Sequence, residues 1–289
     1  MKTSSPDIFA IGDAVEIRDF VTGKSIRMAL AGPANKQGRI AADNALGRKS
    51  IFKGTQGTAI VKIFNITAAS TGVSEKVLKK NHTPYLVSYT HSDSHATYYP
   101  GAELLSIKLV FSPSDGKLLG AQFVGRSGVD KRIDVLATAI RGGMTVFDLQ
   151  ELELAYAPPF SSAKDPVNIA GFVAANIIKG DMEVINWNEL ESRDNSHDIL
   201  IDVRDMSELD EYGTIEGALH IPINKFRQNL SQLDKRNRYV LFCAAGLRAY
   251  IAHRILVQKE FKSSNLSGGF ITYLGSVKER ISPNTPATK

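Results

Sequence analysis

The chain contains a single cysteine, and the residues around it favour a chemical role for its thiol. Cys243 directly follows the apolar run 239–242, which predicts a buried strand, and a helix is predicted to begin just after residue 246. A parallel α/β sheet places its active site at the carboxyl ends of its strands. A strand-to-helix turn there points several backbone N–H groups at one spot, and the helix dipole favours the thiolate form of a cysteine. The pattern therefore predicts that Cys243 is a nucleophile.

The spacer between the cysteine and the next cation supports this prediction. Gly246 permits a tight bend with its N–H turned inward, and small neighbours let the loop curl around a substituent on the sulfur. Arg248 is expected to bring a fixed positive charge to the mouth of the pocket and to orient an anionic donor. The other interpretation from the residues alone is that Cys243 is a small buried apolar side chain. The backbone cradle is predicted to consist of Ala244, Ala245, Gly246 and Leu247.

The segment 243–248 resembles the active-site loop of rhodanese domains, which has the pattern Cys-x-x-Gly-x-Arg. Three further segments resemble motifs of that family in the same order: Asp-Val-Arg at 202–204, Gly-Ala-Leu-His-Ile-Pro at 217–222 and Leu-Ser-Gly-Gly at 266–269. The resemblance implies a sulfurtransferase that carries sulfur as a persulfide on Cys243. A cysteine phosphatase-like domain is the competing hypothesis, but it would use a longer Cys-x5-Arg loop to surround a phosphate. The charged residues of the Asp-Val-Arg strand are expected to brace the sheet.

The N-terminal part of the chain has the pattern of a second family. Residues 8–14, Ile-Phe-Ala-Ile-Gly-Asp-Ala, resemble the second flavin fingerprint of the FAD-dependent pyridine nucleotide–disulfide reductases. In that family the aspartate hydrogen-bonds to the ribityl chain, so the resemblance implies FAD binding through Gly12 and Asp13. No Gly-x-Gly-x-x-Gly phosphate loop exists in the sequence. We therefore expect FAD in the complete enzyme, NAD(P)H bound through a domain absent here, and no tight FAD binding by this chain alone.

Two segments narrow this resemblance to the coenzyme A-disulfide reductases and NADH oxidases. They are Ala-Tyr-Ala-Pro-Pro-Phe-Ser-Ser-Ala-Lys-Asp-Pro at 155–166 and Tyr-Tyr-Pro-Gly at 98–101. The resemblance implies that the tyrosines meet sulfur substrate and flavin across a dimer interface, and interface packing is the alternative. The tyrosines concerned are Tyr98, Tyr99 and Tyr156.

The chain is accordingly predicted to have three parts. Residues 1–50 are expected to be a residual FAD-binding segment, with a strand at 7–11 and a helix at 28–46. Residues 51–180 are expected to form the α+β dimerisation domain, with a strand at 58–66 and a hairpin around Asp115-Gly116. Residues 181–289 are expected to form an α/β rhodanese domain with a parallel sheet, closed by a helix at 270–279.

Composition limits the function classes and partners. The net charge of +5 is the sum of +6 in residues 1–180 and −1 in residues 181–289. No basic stripe with interleaved aromatic residues indicates nucleic-acid binding. No apolar run approaches the roughly 18 residues of a membrane span, and a lone cysteine fits a reducing cytoplasm. We expect no metal site. The expected partners are a sulfane-sulfur donor, a thiol acceptor such as coenzyme A, and a second copy of the chain in a homodimer. A non-enzymatic dimerising remnant remains the alternative to an enzyme.

Overall fold

A computed structural model describes residues 1–190 and 198–278 of the chain. These residues fall into two compact units. The first unit comprises Met1–Val87 and Ser92–Gly171, and the second comprises Ser88–His91 and the chain from Phe172 onwards. The last predicted helix, at 270–279, is described as far as residue 278, so its final residue lies outside the described part.

The first fifty residues contain one long helix and little strand. Strands β1 (Ile17–Arg18) and β2 (Ser25–Ile26) pair antiparallel, and α1 (Ala31–Ala45) follows. The prediction of a strand at 7–11 was wrong. Within the described residues this segment makes only the isolated bridge between Lys2 and Phe9, so no neighbouring strand extends a ladder along it.

A five-stranded sheet dominates the rest of the first unit, in the order β3-β4-β7-β6-β5. The pairs β3–β4, β4–β7 and β6–β7 are antiparallel. The strands are β3 (Ala59–Ile63), β4 (Ile66–Gly72), β5 (Leu86–Asp93), β6 (Leu104–Phe111) and β7 (Leu118–Gly125). The helices are α2 (Glu75–Lys80), α3 (Val129–Gly142) and α4 (Val146–Glu151). The next helix, α5 (Pro166–Ile178), begins in the first unit and ends in the second.

The hairpin predicted around Asp115-Gly116 joins β6 to β7, as expected. The single strand predicted at 58–66 is instead β3 and the start of β4, with Ile63 opposite Ile66 across a two-residue turn. Phe64 occupies this turn with φ of 51°, in the left-handed region. The apolar alternation concealed the turn because it contains no glycine.

The sheet of the second unit is entirely parallel, in the order β10-β9-β11-β12-β8. This confirms the predicted α/β domain. Its strands are β8 (Val184–Ile185), β9 (Asp198–Asp202), β10 (Leu219–His220), β11 (Arg238–Phe242) and β12 (Lys262–Leu266). Its helices are α6 (Trp187–Leu190), α7 (Met206–Tyr212), α8 (Leu247–Gln258) and α9 (Gly269–Lys278), with a 3-10 helix at Ile223–Gln232.

Alternation along the central strand β11 divides the core of this unit between the two faces of the sheet. Leu241 and Cys243 pack into a cluster that includes Ala252 of α8. Val240 and Phe242 pack into a second cluster, which includes Phe270 of α9. The register of β11 thus decides which helix the cysteine meets.

Candidate active site

Cys243 is the first residue after β11, at the carboxyl end of the central strand of the parallel sheet. Its side chain is only 2% exposed and belongs to the apolar cluster beneath α8. The four residues 243–246 make the turn, and α8 begins at Leu247. The predicted strand–loop–helix setting of the thiol is therefore present. Leu247 itself is largely exposed, beside the turn that holds the sulfur.

One backbone donor of the predicted cradle points directly at the sulfur. The N–H of Gly246 donates to Cys243 Sγ at 3.1 Å. Gly246 adopts φ of +114° immediately before α8, a conformation that L side chains rarely adopt. Glycine at this position therefore lets the chain turn its N–H inward and enter the helix in a single residue.

The other side of the same loop is held by the first turn of α9. The N–H of Phe270 donates to the carbonyl oxygen of Cys243 at 2.8 Å, and the N–H of Ile271 donates to that of Ala244 at 3.0 Å. These bonds occupy the loop carbonyls on the side of α9. Gly269 allows the close approach, because a Cβ there would lie 2.4 Å from the Cys243 oxygen. The turn at the Leu-Ser-Gly-Gly motif thus holds residues 243–246, called the sulfur loop below, by backbone hydrogen bonds.

The structure places Arg248 in the first turn of α8, with its guanidinium against α7. Its terminal nitrogens donate to both carboxylate oxygens of Glu208, at 2.6 and 2.7 Å, and one of them lies 3.4 Å from Asp205 Oδ2. The hydrogen bonds with Glu208 raise the pKa of Arg248, and they lower the pKa of the Glu208 carboxyl. The guanidinium of Arg248 is therefore already engaged in a bidentate ion pair with Glu208 when an anionic donor approaches. The sequence analysis missed Glu208, whose position three residues after the cap Asp205 was the available signal.

The charged residues of the Asp-Val-Arg strand form a buried brace beneath the site. Arg204 Nη2 donates to Asp202 Oδ2 at 2.6 Å, and both side chains are almost completely buried. Asp202 also accepts from the Thr214 hydroxyl at 2.7 Å, and the ring of His220 bonds to the Arg204 carbonyl at 2.9 Å. The guanidinium of Arg204 lies 4.1 Å from the ring centre of Phe270. This network joins the end of β9 to the residues around it by buried hydrogen bonds.

Two of the three tyrosines singled out in the first unit meet each other. The hydroxyls of Tyr98 and Tyr156 lie 3.1 Å apart on the surface, and the hydrogen bond with Tyr156 raises the pKa of Tyr98. Tyr99 is directed elsewhere, where its ring meets His95 edge-on with 5.8 Å between the ring centres. The structure thus brings together a phenol pair and separates Tyr99 from it.

A buried ion pair fixes the two segments that carry this phenol pair. Arg132 Nη2 donates to Asp165 Oδ2 at 3.0 Å, to the Ser94 carbonyl at 2.7 Å and to Ser161 Oγ at 3.3 Å. Burial raises the pKa of Asp165, but hydrogen bonds from Val167, Arg132 and Ser161 outweigh it and leave the pKa lowered. The sequence analysis did not single out Arg132. Its place on the apolar face of α3, beside Ile133, was the available signal.

Gly12 and Asp13 form a turn that α1 supports. The N–H of Gly12 donates to Gln37 Oε1 at 2.7 Å, and Gln37 is almost fully buried. Asp13 lies in the 3-10 turn Gly12–Ala14, and its side chain is exposed. An exposed carboxylate on a supported turn fits a ligand that offers hydroxyl groups.

The described ranges, residues 1–190 and 198–278, also bear on metal ions and membranes. No group of three or more His, Cys, Asp or Glu side chains in them is arranged to hold a metal ion. None of the helices described there combines the length and the apolar character that a membrane crossing requires.

Two family matches cover most of the described chain. Residues 58–166 match the pyridine nucleotide-disulphide oxidoreductase dimerisation domain, and residues 186–274 match the rhodanese-like domain. These matches confirm the two domain types inferred from the sequence. They place the Tyr98–Tyr156 pair in the first domain and the Cys243 loop in the second.

Individual relatives combine the same features. A coenzyme A disulfide reductase of Staphylococcus haemolyticus is 39% identical over 177 residues, which are 61% of this chain and 40% of the relative. The structure of reduced Bacillus anthracis CoADR-RHD matches 96% of this chain with a TM-score of 0.92 and 46% identity, and the match covers 50% of that chain. A NAD-dependent persulfide reductase from A. fulgidus matches 94% with a TM-score of 0.85 and 40% identity, and covers 49% of that chain. The chain therefore spans about half the length of these solved structures.

Proposed function

We propose that this chain, which carries the dimerisation domain of the pyridine nucleotide–disulphide oxidoreductases followed by a rhodanese-like domain, transfers sulfane sulfur through a persulfide on Cys243. The observation that carries the proposal is the hydrogen bond from the Gly246 N–H to Cys243 Sγ, 3.1 Å long, at the N-terminus of α8. A backbone donor and a helix N-terminus both favour negative charge on the sulfur. The loop is thereby suited to a thiolate and to the terminal sulfur of a persulfide.

The proposed reaction has two displacement steps. The Cys243 thiolate attacks the outer sulfur of an anionic donor such as thiosulfate, an S–S bond to the enzyme forms, and the donor's own S–S bond breaks with its electron pair leaving on sulfite. An acceptor thiolate then attacks the outer sulfur of the persulfide and Cys243 leaves as thiolate. The acceptor keeps the sulfur as its own persulfide, so the cycle needs no external oxidant or reductant.

The surrounding residues have separate proposed roles. The backbone N–H groups of residues 244–247 receive the outer sulfur, and the small side chains of Ala244 and Ala245 leave room for it. The α9 turn keeps the loop carbonyls occupied through Cys243 and Ala244. Arg248 guides the anionic donor while its pairing with Glu208 holds α8 against α7. A phosphatase-like reaction is disfavoured because residues 186–274 match the rhodanese-like family.

The test of this function is sulfur transfer from thiosulfate to a thiol acceptor by the wild-type chain and by Cys243→Ser. The wild type should gain the mass of one sulfur atom on incubation with thiosulfate and should release sulfite, whereas the serine variant should do neither. The same unfolding transition in both proteins would show that the fold is unchanged. Sulfite release by the serine variant at the wild-type rate would refute the proposal, and so would its absence from the wild type, which is the outcome that a non-enzymatic dimerising remnant predicts.

We further propose that the first unit belongs to a flavin-dependent reductase of coenzyme A disulfide or persulfide, with coenzyme A as the thiol acceptor. The similarity to the coenzyme A disulfide reductase of Staphylococcus haemolyticus and to the NAD-dependent persulfide reductase from A. fulgidus supports this. In such an enzyme FAD supplies electrons from NAD(P)H to the disulfide. Asp13 would hold the ribityl hydroxyls, and Gly12 would keep the turn close to α1.

Within the complete enzyme the phenol pair is proposed to face the sulfur substrate across a homodimer interface formed by residues 51–180. Tyr98 and Tyr156 are exposed, and their hydroxyls are hydrogen-bonded to each other. A second subunit could therefore cover them without leaving both hydroxyls unpaired. The flavin spectrum of the purified chain after gel filtration tests the flavin part separately. We expect a colourless protein, because Gly12 and Asp13 are the only flavin contacts that the sequence indicates.

A further inference from the structure

A buried carboxamide lies under the sulfur loop, on the strand next to β11. Asn265 is the fourth residue of β12 and is only 4% exposed. Its Nδ2 donates to the carbonyl oxygen of Gly246 at 3.1 Å and lies 3.3 Å from the Met182 sulfur. The same carbonyl accepts the N–H of Tyr250 at 2.9 Å, the first hydrogen bond of α8.

Gly246 thereby links the carboxamide to the reactive sulfur. Its N–H donates to Cys243 Sγ, and its carbonyl accepts from Asn265. A glycine at φ of +114° has no Cβ to restrict it, so hydrogen bonds to its two peptide groups must hold its conformation. Without Asn265 the carbonyl would be held by the Tyr250 N–H alone, which would weaken the constraint that keeps the Gly246 N–H directed at the sulfur.

The carboxamide is costly to keep in this position. Its other polar atom, Oδ1, is buried without a hydrogen-bond partner among the described residues. The amide nevertheless has a defined orientation, with Nδ2 towards Gly246. In the opposite orientation Oδ1 would face the Gly246 carbonyl oxygen, and the two oxygens would repel each other. A buried polar atom without a partner reduces stability, so an apolar side chain in the core of the sheet would be the more stable choice.

We propose that Asn265 is a positioning residue of the sulfur site, which holds Gly246 so that its N–H points at the sulfur of Cys243. The inference deepens the proposed sulfur transfer and rests on it for its biological meaning. Its physical content is independent of that function, because it concerns only the surroundings of the thiol. Asn265 acts through Gly246 and touches no reacting atom.

The experiment uses the fact that Cys243 is the only cysteine of the chain, so alkylation by iodoacetamide reports on this thiol alone. We would measure the alkylation rate of the full chain from pH 5 to 10 for wild type, Asn265→Leu and Asn265→Asp. Asn265→Leu removes the donor at similar volume and should move the pH midpoint of alkylation upward, with a loss of roughly tenfold in rate at neutral pH. Asn265→Asp should lose more, since an ionised carboxylate repels both the Gly246 carbonyl and the thiolate.

The neighbouring Ser264 provides the matched control. Its hydroxyl is also buried on β12 without a hydrogen-bond partner among the described residues, so it donates no hydrogen bond to the loop 243–246. Ser264→Ala should therefore keep the wild-type alkylation profile. A wild-type profile in Asn265→Leu, with its unfolding transition intact, would overturn the inference, and so would an equal shift in Ser264→Ala. If the leucine variant does not fold, the smaller Asn265→Ala, which also removes the donor and adds no charge, decides by the same criteria.

The outcome also separates this inference from the proposed function. A shifted alkylation profile in the Asn265 variants supports the positioning role even if the wild type transfers no sulfur. Conversely, sulfur transfer by the wild type together with unshifted profiles would leave the function standing and defeat the positioning role.

Discussion

The backbone N–H of Phe270 donates to the carbonyl oxygen of Cys243 at 2.8 Å, so the helix that follows the Gly-Gly turn fixes the peptide of the cysteine. The next N–H, of Ile271, does the same for Ala244 at 3.0 Å. The strand–loop–helix turn and the closing Gly-Gly turn are therefore one structural unit, although more than twenty residues of sequence separate them.

This relationship predicts a large effect for Gly269→Ala. The new methyl group would lie 2.4 Å from the Cys243 oxygen and 2.7 Å from the Ala244 oxygen, at a φ of +57° that strains an alanine. We expect a loss of about 1–3 kcal/mol in the free energy of unfolding, together with slower alkylation of Cys243. Urea unfolding and alkylation rates measure the two effects. Gly275→Ala in the same helix is the control, because its Cβ would meet no heavy atom within 4 Å, and equal effects in both variants would contradict the prediction.

The buried side chain of His253 leads us to expect that the free energy of unfolding falls on mild acidification. Burial, and secondarily the nearby Arg254, lowers the pKa of His253 from 6.5 to about 4. Its ring bonds to Ser263 Oγ at 2.9 Å and accepts the N–H of Glu183 at 3.4 Å, an arrangement that requires the neutral form. Between pH 6.5 and 4 the unfolded chain binds the extra proton and the folded chain does not, so this contribution to stability is full above pH 6.5 and falls as the pH drops.

At about 1.4 kcal/mol per pKa unit the full window corresponds to roughly 3 kcal/mol, and solvent screening of the incompletely buried ring reduces the expected effect to about 2 kcal/mol. We expect His253→Gln to flatten the dependence of the free energy of unfolding on pH, measured by urea unfolding from pH 7.5 to 4.5. His82→Gln, at an exposed position in the first unit, is the comparison and should keep the wild-type slope. An undiminished slope in His253→Gln would show that other groups cause the acid sensitivity.

The local part of the sulfur site could be predicted from the sequence, because it is built from consecutive residues. An apolar run, a cysteine, a glycine at the bend and a helix start together specify the turn that the structure contains, with the Gly246 N–H at the sulfur. The parallel sheet also followed from the alternation of strands and helices. The strand β8, with only two residues, offers no periodicity and was missed.

The parts that escaped prediction depend on partners far apart in the chain. Glu208 pairs with Arg248 across 40 residues, and Asn265 reaches Gly246 across 19. Asn265 by itself has the pattern of an ordinary strand residue. The spacing of Glu208 from the cap Asp205 gave a signal for its place in α7 but none for its pairing with Arg248. Arg132 also pairs with a residue far away in the chain, Asp165. Here, however, a charged residue on the apolar face of a helix does indicate a buried ion pair.

The proposed homodimer predicts that the full chain is dimeric in light scattering at micromolar concentration. Phe160 is 71% exposed and Tyr156 is 47% exposed, within a proline-rich apolar segment that suits an interface better than free solvent. The double variant Tyr156→Asp with Phe160→Asp should be a monomer, because charges buried at an interface without partners strongly disfavour association. Tyr212→Asp, outside the dimerisation domain and also exposed, should remain dimeric. A monomeric wild type would contradict the proposal.

The last prediction concerns whether Arg248 guides the donor or only braces the loop. Lysine offers one point charge in place of the fork that holds Glu208 at 2.6 and 2.7 Å, so Arg248→Lys weakens both roles. If Arg248 orients the anionic donor, the KM for thiosulfate should rise roughly tenfold to a hundredfold in this variant, the equivalent of about 1.5–3 kcal/mol.

Glu208→Gln separates the roles, because it removes the competing carboxylate while leaving the guanidinium in place. A guiding role predicts a lower KM in Glu208→Gln, whereas a purely bracing role predicts that both variants lose kcat and stability with KM unchanged. Steady-state kinetics with thiosulfate, read beside urea unfolding, decides between them, and an unchanged KM in Arg248→Lys would exclude the guiding role.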